Sequence, residues 1–246
     1  MKFASGDRIV SVVIPCLNEE EPISAVVHEV SAQGVDEIIV VDNGSTDQTA
    51  ARAATAGAKV VSQPSRGYGR ACATGLAAVR SDCDILCFLD GDGSDVASFL
   101  VGVVTPVADG SADFVIGSRL RGKREPGSMT PQQIVAGWIA GMLLRITYGA
   151  RYTDMSPFRA LRVATLRSLG MREQTYGWNL EMQMRVAANG LRILEIPVDH
   201  RCRRGGASKV SGNLVAGLQA AWKIATTFLR LTVSLRTPSR KRADQA

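Results

Sequence analysis

Asp90 and Asp92 stand one residue apart at the end of a five-residue apolar run, Ile85 to Leu89. Such a run reads as a buried strand of a parallel sheet. Residues i and i+2 of a strand point to the same side, and Gly91 and Gly93 let the chain turn sharply beyond it. The two carboxylates can then converge on one point. Two oxygen ligands with room left for water and phosphate oxygens suit Mg2+ or Mn2+. The competing reading is a polar turn in which Asp92 or Ser94 caps a helix starting near Val96. The pair alone does not separate the two.

A metal pair of this kind needs a scaffold that gathers strand ends. Three more short apolar runs precede it: Ile9 to Pro15, Glu37 to Asp42 and Ala58 to Ser62. Helical periods lie between them, first Ile23, Val26, Val27 and Val30, then two Ala-rich stretches after Asn43–Asp47 and Ser65–Arg70. Strand alternating with helix means an α/β fold, a doubly wound and mostly parallel sheet with right-handed crossovers. Its ligands lie where strands end and helices begin. Asp42 and Asp90 both occupy such ends.

Beyond Arg119 the character changes. Leu120 to Gln133 is basic, with Gly and Pro, and reads as a mobile loop. Helices are expected from Ile134 to about Tyr148 and from Trp178 to Asn189, and a last strand from Arg192 to Val198. Asp154 to Arg159 reads as a turn setting an acid near a base, and Arg201 to Lys209 as a basic loop. An amphipathic helix runs from about Leu214 to Leu231, with Leu214, Leu218, Trp222, Ala225 and Leu229 on its apolar face. The division is one domain over 1–210, the helix within 211–235, and a basic tail, 236–246, read as disordered.

Charge is unevenly divided. Residues 1–110 carry net −8 and residues 111–246 net +14, together the chain's +6. An acidic half suits a metal site, and an Arg-rich basic half suits an anionic partner. The basic tail is the one hint of nucleic acid, and that partner is discounted. Five cysteines at 16, 72, 83, 87 and 202 form no C-x-x-C and sit mostly in apolar runs, as reduced thiols of a cytoplasmic protein do. The first residues lack the apolar stretch of a signal peptide. No window reaches the ~18 uncharged apolar residues of a membrane span.

Several motifs recur in a familiar order. Val13-Ile14-Pro15 with Asn18-Glu19, Val41-Asp42-Asn43-Gly44-Ser45-Thr46-Asp47, Gly67-Tyr68-Gly69 and Leu89-Asp90-Gly91-Asp92 resemble family 2 glycosyltransferases of the GT-A fold. Gly117-Ser118-Arg119, Asp154 with Phe158-Arg159, Glu195 to Val198, and Arg203 through Gly206 to Ser208-Lys209 resemble, within that family, the polyprenyl-phosphate sugar synthases of the dolichol-phosphate mannose synthase kind. The likeness spans residues 9–210. It departs where the family's Asp-Asp-Gly-Ser has Asn43 second, where Ser94 stands in place of a frequent Gln, where Ser-Gly-Phe-Arg reads Ser156-Pro157-Phe158-Arg159, and where Met129 to Gln133 lacks the acceptor loop's Arg and Ser.

The resemblance implies a GT-A sheet with a nucleotide-binding half and an acceptor-binding half. Pro15, Asn18, Glu19 and Gly44 would shape the nucleotide-sugar pocket, Asp42 would touch base or ribose, and Gly67 and Gly69 would let the backbone approach the base. Asp90 and Asp92 would hold Mg2+ or Mn2+ against the diphosphate of a nucleotide-diphospho-sugar. Arg119, Arg159, Arg203, Ser208 and Lys209 would grip phosphates of that donor or of a polyprenyl phosphate acceptor. Asp154 and Glu181 are candidate bases, needed only for a hydroxyl acceptor, because a phosphate is already an anion. Glu181 is also placed to pair with Arg185 one turn on. His200 reads as a surface histidine sooner than as a metal ligand, and Tyr176 and Trp178 either as stacking platforms or as core.

The expected activity is inverting transfer of a sugar to a polyprenyl phosphate. The alternative is a same-fold transferase using a hydroxyl acceptor. A sugar-1-phosphate nucleotidyltransferase would need a Gly-rich basic loop that Pro15 to Glu21 does not supply. A non-catalytic binding protein would have no use for Asp42, Asp90, Asp92 and Asp154 together. The C-terminal helix has three candidate partners: anionic lipid at the inner face of a membrane, the domain itself, or a second subunit.

Overall fold

The computed structural model describes residues 8–205, 222 and 225–233. Seven strands form one sheet: β1 (Val10–Cys16), β2 (Glu37–Asp42), β3 (Lys59–Ser62), β4 (Ile85–Phe88), β5 (Phe114–Ser118), β6 (Arg159–Arg162) and β7 (Ile193–Pro197). Their order is β3-β2-β1-β4-β6-β5-β7. Helices α1 (Ile23–Ser31), α2 (Thr49–Thr55), α3 (Tyr68–Ala78), α4 (Leu100–Ala108), α5 (Pro131–Tyr148), α6 (Val163–Leu169) and α7 (Trp178–Ala188) surround them. The α/β expectation holds, with a mostly parallel sheet.

Strand alternation divides the core into two layers. Val12, Ile14 and Cys16 of β1 face one layer, with Ile23, Val26 and Val27 of α1 and Leu100, Val103 and Val104 of α4. Val13 faces the other, with Ala71 and Cys72 of α3, Leu144 of α5 and Met182 of α7. A sheet covered on both faces keeps its strand ends as the exposed backbone at which loops can gather a site.

One strand breaks the parallel rule. β6 lies antiparallel to β4 on one side and β5 on the other. Two arginines in four residues gave the sequence reading only a turn here. Arg159 is in fact wholly buried. Its Nε donates to Ser156 O at 3.0 Å, its Nη1 to Asn179 O at 3.0 Å, and the guanidinium lies 5.8 Å from the centroid of the Phe114 ring. Burial pulls its pKa down to about 10. A buried guanidinium persists only when its donors are satisfied, and carbonyls and a ring face do that here.

One boundary, one loop and one helix also differ from expectation. α5 starts at Pro131, not Ile134, because Thr130 and Gln133 form a capping box with Pro at the first turn. The loop before it is tied down: Lys123 N–H donates to Asp199 Oδ1 and Glu125 N–H to His200 O, both 2.9 Å. In the helical segment 225–233, Phe228 and Leu231 enter the core layer beneath α7, and Arg230 pairs with Glu173. Trp222 and Leu229, assigned to the apolar face, are exposed instead. Leu214, Leu218 and the basic tail lie outside the described residues.

Candidate active site

A cleft of about 720 Å³ opens at the carboxyl ends of β1, β2 and β4. β1 delivers Pro15, Cys16, Leu17 and Glu19 to it, β2 delivers Asn43, and β4 delivers Asp90, Gly91 and Asp92. Arg66, Gly67 and Tyr68 enter at the start of α3. The opposite wall carries Arg119 after β5, Thr130 and Gln133 at the start of α5, and His200 and Arg203 after β7.

The Asp90–Asp92 turn forms as its residue types dictate. Asp92 Oδ1 accepts the Ser94 N–H at 2.9 Å and the Ser94 hydroxyl at 2.6 Å. Asp90 Oδ1 accepts the Tyr68 hydroxyl at 3.2 Å, and its N–H donates to Asp95 Oδ2 at 3.1 Å. Burial, then the Asp92 and Asp95 charges, raise Asp90 well above the ordinary carboxylate range. Asp95 rises to about 6, chiefly through burial. Its Oδ1 is buried without a hydrogen-bond partner, 3.8 Å from His200 Nδ1. Burial and Arg119 lower His200 to about 4, so its imidazole is neutral.

Three acids crowded into a buried corner, one with an orphaned oxygen, fit a hard divalent cation. Among the described residues no three His, Cys, Asp or Glu side chains already stand at coordinating distance. Such an ion would take its remaining ligands from water or a bound diphosphate.

Several assigned residues reach the cleft: Pro15, Glu19, Gly67, Asp90, Asp92, Arg119 and Arg203. Others serve the frame. Asn18 accepts the Thr46 N–H at 2.9 Å and latches the first loop to the second. Asp42 stops one residue short of the cleft and accepts the Ser45 N–H at 3.0 Å. Gly44 turns at φ +81° beneath Pro64 O. Gly67 and Gly69 are small because residues 173–174 pass over them: a Cβ would meet Gln174 O at 2.4 Å and Glu173 O at 2.2 Å, respectively. Only Gly67 lines the cleft.

Neither candidate base is free. Glu181 is wholly buried, accepts the N–H groups of Arg172 and Glu173, and pairs with Arg185 at 2.8 Å, the helical pairing weighed from the sequence. Asp154 takes Nε and Nη2 of Arg119, each at 2.8 Å. Burial pushes Asp154 up, but the Arg119 charge outweighs it and holds the carboxyl below its usual range. That leaves Arg119 Nη1 turned from the pair. Arg159, already described, is structural. Ser208 and Lys209 lie outside the described residues.

Three contributors escaped the sequence reading, the first being Asp95 of the acidic corner. His200 is 5% exposed, so it is no surface residue, and it lines the cleft. Asn43 donates both amide hydrogens, to Gln63 O and Ser65 O at 2.9 Å, and accepts the Gly67 N–H at 2.7 Å. Its signal was the departure from the family's aspartate. Trp178 is core, edge-on to Phe88, while Tyr176 is exposed at the cleft.

A GT-A sheet with an acidic turn after its central strand and arginines across a cleft defines a nucleotide-sugar transferase. The model for "Glycosyl transferase family 2" matches residues 11–170, and the chain belongs to that family. An uncharacterized glycosyltransferase of Mycobacterium tuberculosis is 38% identical over 225 residues, covering 89% of this chain and 99% of that protein. The undecaprenyl-phosphate mannosyltransferase of Micrococcus luteus is 30% identical over 237 residues, covering 86% and 95%. The crystal structure of glucosyl-3-phosphoglycerate synthase from M. tuberculosis with Mn2+, UDP and glucosyl-3-phosphoglycerate aligns at TM-score 0.72 and 26% identity, over 92% of this chain and 80% of that one. Another crystal of that synthase holds Mg2+ and UDP, at TM-score 0.70 and 27% identity over the same shares.

Proposed function

We propose that this glycosyltransferase is a metal-dependent hexosyltransferase that moves a sugar from a nucleotide-diphospho-sugar to a polyprenyl phosphate, with inversion. The observation that carries the lipid acceptor is an apolar stripe on α5. Val135, Trp138, Met142 and Ile146 are exposed there, Trp138 by 63% and Ile146 by 76%. The same helix begins at the cleft, where Thr130 and Gln133 line it. Arg121, Lys123 and Arg124 are exposed in the preceding loop. An apolar stripe beside basic residues suits a prenyl chain or the lipid surface that carries it.

The chemistry agrees with an anionic acceptor. A phosphate oxygen attacks the anomeric carbon in line, the bond to the donor diphosphate breaks, and no proton need be removed. A hydroxyl acceptor would need a base. Asp154 and Glu181 are locked in ion pairs, and a histidine near 4 is a weak base. A divalent ion, when bound, would neutralise the leaving diphosphate. Asp90 and Asp92 would hold it, and Arg119 and Arg203 would add charge at the phosphates. The solvent-facing stripe supports a peripheral position on a membrane. No helix among the described residues is long and apolar enough to cross one.

A small phosphorylated acceptor is the second reading, favoured by the fold likeness to glucosyl-3-phosphoglycerate synthase. Labelled UDP-, GDP- and dTDP-hexoses offered with polyprenyl phosphate and phosphoglycerate in one mixture test both. Label in the organic phase supports the lipid acceptor, and label only in phosphoglycerate overturns it.

A further inference from the structure

Arg203 reaches across the floor of the cleft. Its Nη1 lies 3.0 Å from Asp92 Oδ2, and its Nη2 donates to Glu19 Oε1 at 2.7 Å. The other oxygen of Asp92 is taken by Ser94. The loop is fastened on both sides of the arginine: Arg201 and Arg204 pair with Glu29 on α1, and the Arg204 N–H donates to Asp92 O at 3.1 Å. A side-chain cation therefore already stands on the carboxylate assigned to the metal.

We propose that Arg203 is the resident counter-cation of the metal site: it must release Asp92 before a divalent ion binds, and the donor's diphosphate draws it away. This rests on the metal-and-donor reading above. Two cations on one carboxylate repel, so a divalent ion arriving alone meets a competitor. A diphosphate offers the guanidinium fork a better-matched acceptor and gives the ion further oxygens. Glu19 keeps Arg203 beside the cleft while Asp92 changes hands, because that contact uses the other nitrogen. Metal and diphosphate then bind with positive coupling, reciprocal by linkage. A monophosphate, with fewer oxygens to share, couples less.

The test is Mn2+ titration of the full chain, read by the electron paramagnetic resonance of free Mn2+, alone and with UDP, GDP or UMP. Wild type, Arg203→Ala, Arg203→Gln and Arg80→Ala are compared after matched melting curves; Arg80 is an exposed arginine paired with Asp82 and does not line the cleft. The expected result is that Arg203→Ala and Arg203→Gln bind Mn2+ alone at least ~5-fold tighter than wild type, while the tightening by a diphosphate shrinks by about the same factor. Arg80→Ala should stay within about 2-fold of wild type, and UMP should couple less than UDP or GDP. Unchanged or weaker Mn2+ binding by both Arg203 variants, with wild-type coupling, overturns the inference. Absence of Mn2+ binding by wild type even with a diphosphate defeats the metal reading itself.

Discussion

Arg119 and Asp154 form a two-point ion pair, Nε to Oδ2 and Nη2 to Oδ1, both at 2.8 Å, and the Arg119 backbone N–H adds a third bond to Oδ2 at 3.0 Å. The aspartate fixes the arginine that closes β5 and aims it at the cleft. Arg119→Ala would strand a carboxylate whose side chain is 2% exposed. Removing one partner of a buried pair costs about 3–5 kcal/mol. A clear drop in the urea midpoint is expected, and an unchanged midpoint would mean that the pair is solvated. Arg119→Lys should fold better than Arg119→Ala yet still lose turnover, because an ammonium cannot grip both oxygens.

Asn43→Asp restores the family's residue and should nonetheless destabilise this chain. Asn43 points two N–H groups at Gln63 O and Ser65 O. A carboxylate there would face two carbonyls with no hydrogen to offer. The loss should be on the order of 1–3 kcal/mol, with KM for the donor raised because the 63–67 loop borders the cleft. Wild-type melting and KM in this variant would remove Asn43 from its assigned role.

Most of the nucleotide half was legible in the sequence for physical reasons. Buried parallel strands read as unbroken apolar runs, so β1, β2 and β4 stood out, and the carboxylates at their ends followed. β6 was hidden because Arg159 and Arg162 make it look polar, although Arg159 is buried under carbonyl caps. Sequence could name Asp154 and Glu181 as acids but not tell that arginines already hold them, since Arg119 and Asp154 are 35 residues apart. Gly67 and Gly69 read as a close approach, and they are one, but to the 173–174 backbone. On the C-terminal helix the sequence did not single out Phe228 and Leu231, which pack into the core, while Trp222 and Leu229 of the assigned apolar face are exposed.

Asp95 sets a pH dependence. Its folded pKa of about 6 lies above the unfolded value, so its protonated form favours folding. That stability is fully present below the ordinary aspartate range and is lost as pH rises to about 6. Asp95→Asn should therefore raise Tm in metal-free buffer at pH 7.5 by roughly 3–8 °C, and by much less at pH 4.5. Equal shifts at both pH values would show that Asp95 does not titrate in this way.

The α5 stripe predicts salt-sensitive binding to anionic vesicles. Trp138→Glu with Ile146→Glu places charge on exposed positions, so Tm should hold while vesicle binding falls by ~10-fold or more; two lost apolar anchors are worth about 1.5–3 kcal/mol each when buried. KM for a polyprenyl phosphate should rise with little change in donor KM. A double variant that still co-sediments like wild type at low salt removes the stripe from the acceptor's path.

The most direct measurement is the initial rate of sugar transfer into polyprenyl phosphate as Mn2+ is varied, for wild type and for Asp92→Ala with matched melting curves. The expected result is transfer that EDTA abolishes and that Asp92→Ala lowers at least ~100-fold in kcat, the usual scale for losing a main electrostatic stabiliser. Full rate in EDTA, or in Asp92→Ala, would contradict the assignment of the carboxylates after β4 to metal-assisted departure of the diphosphate.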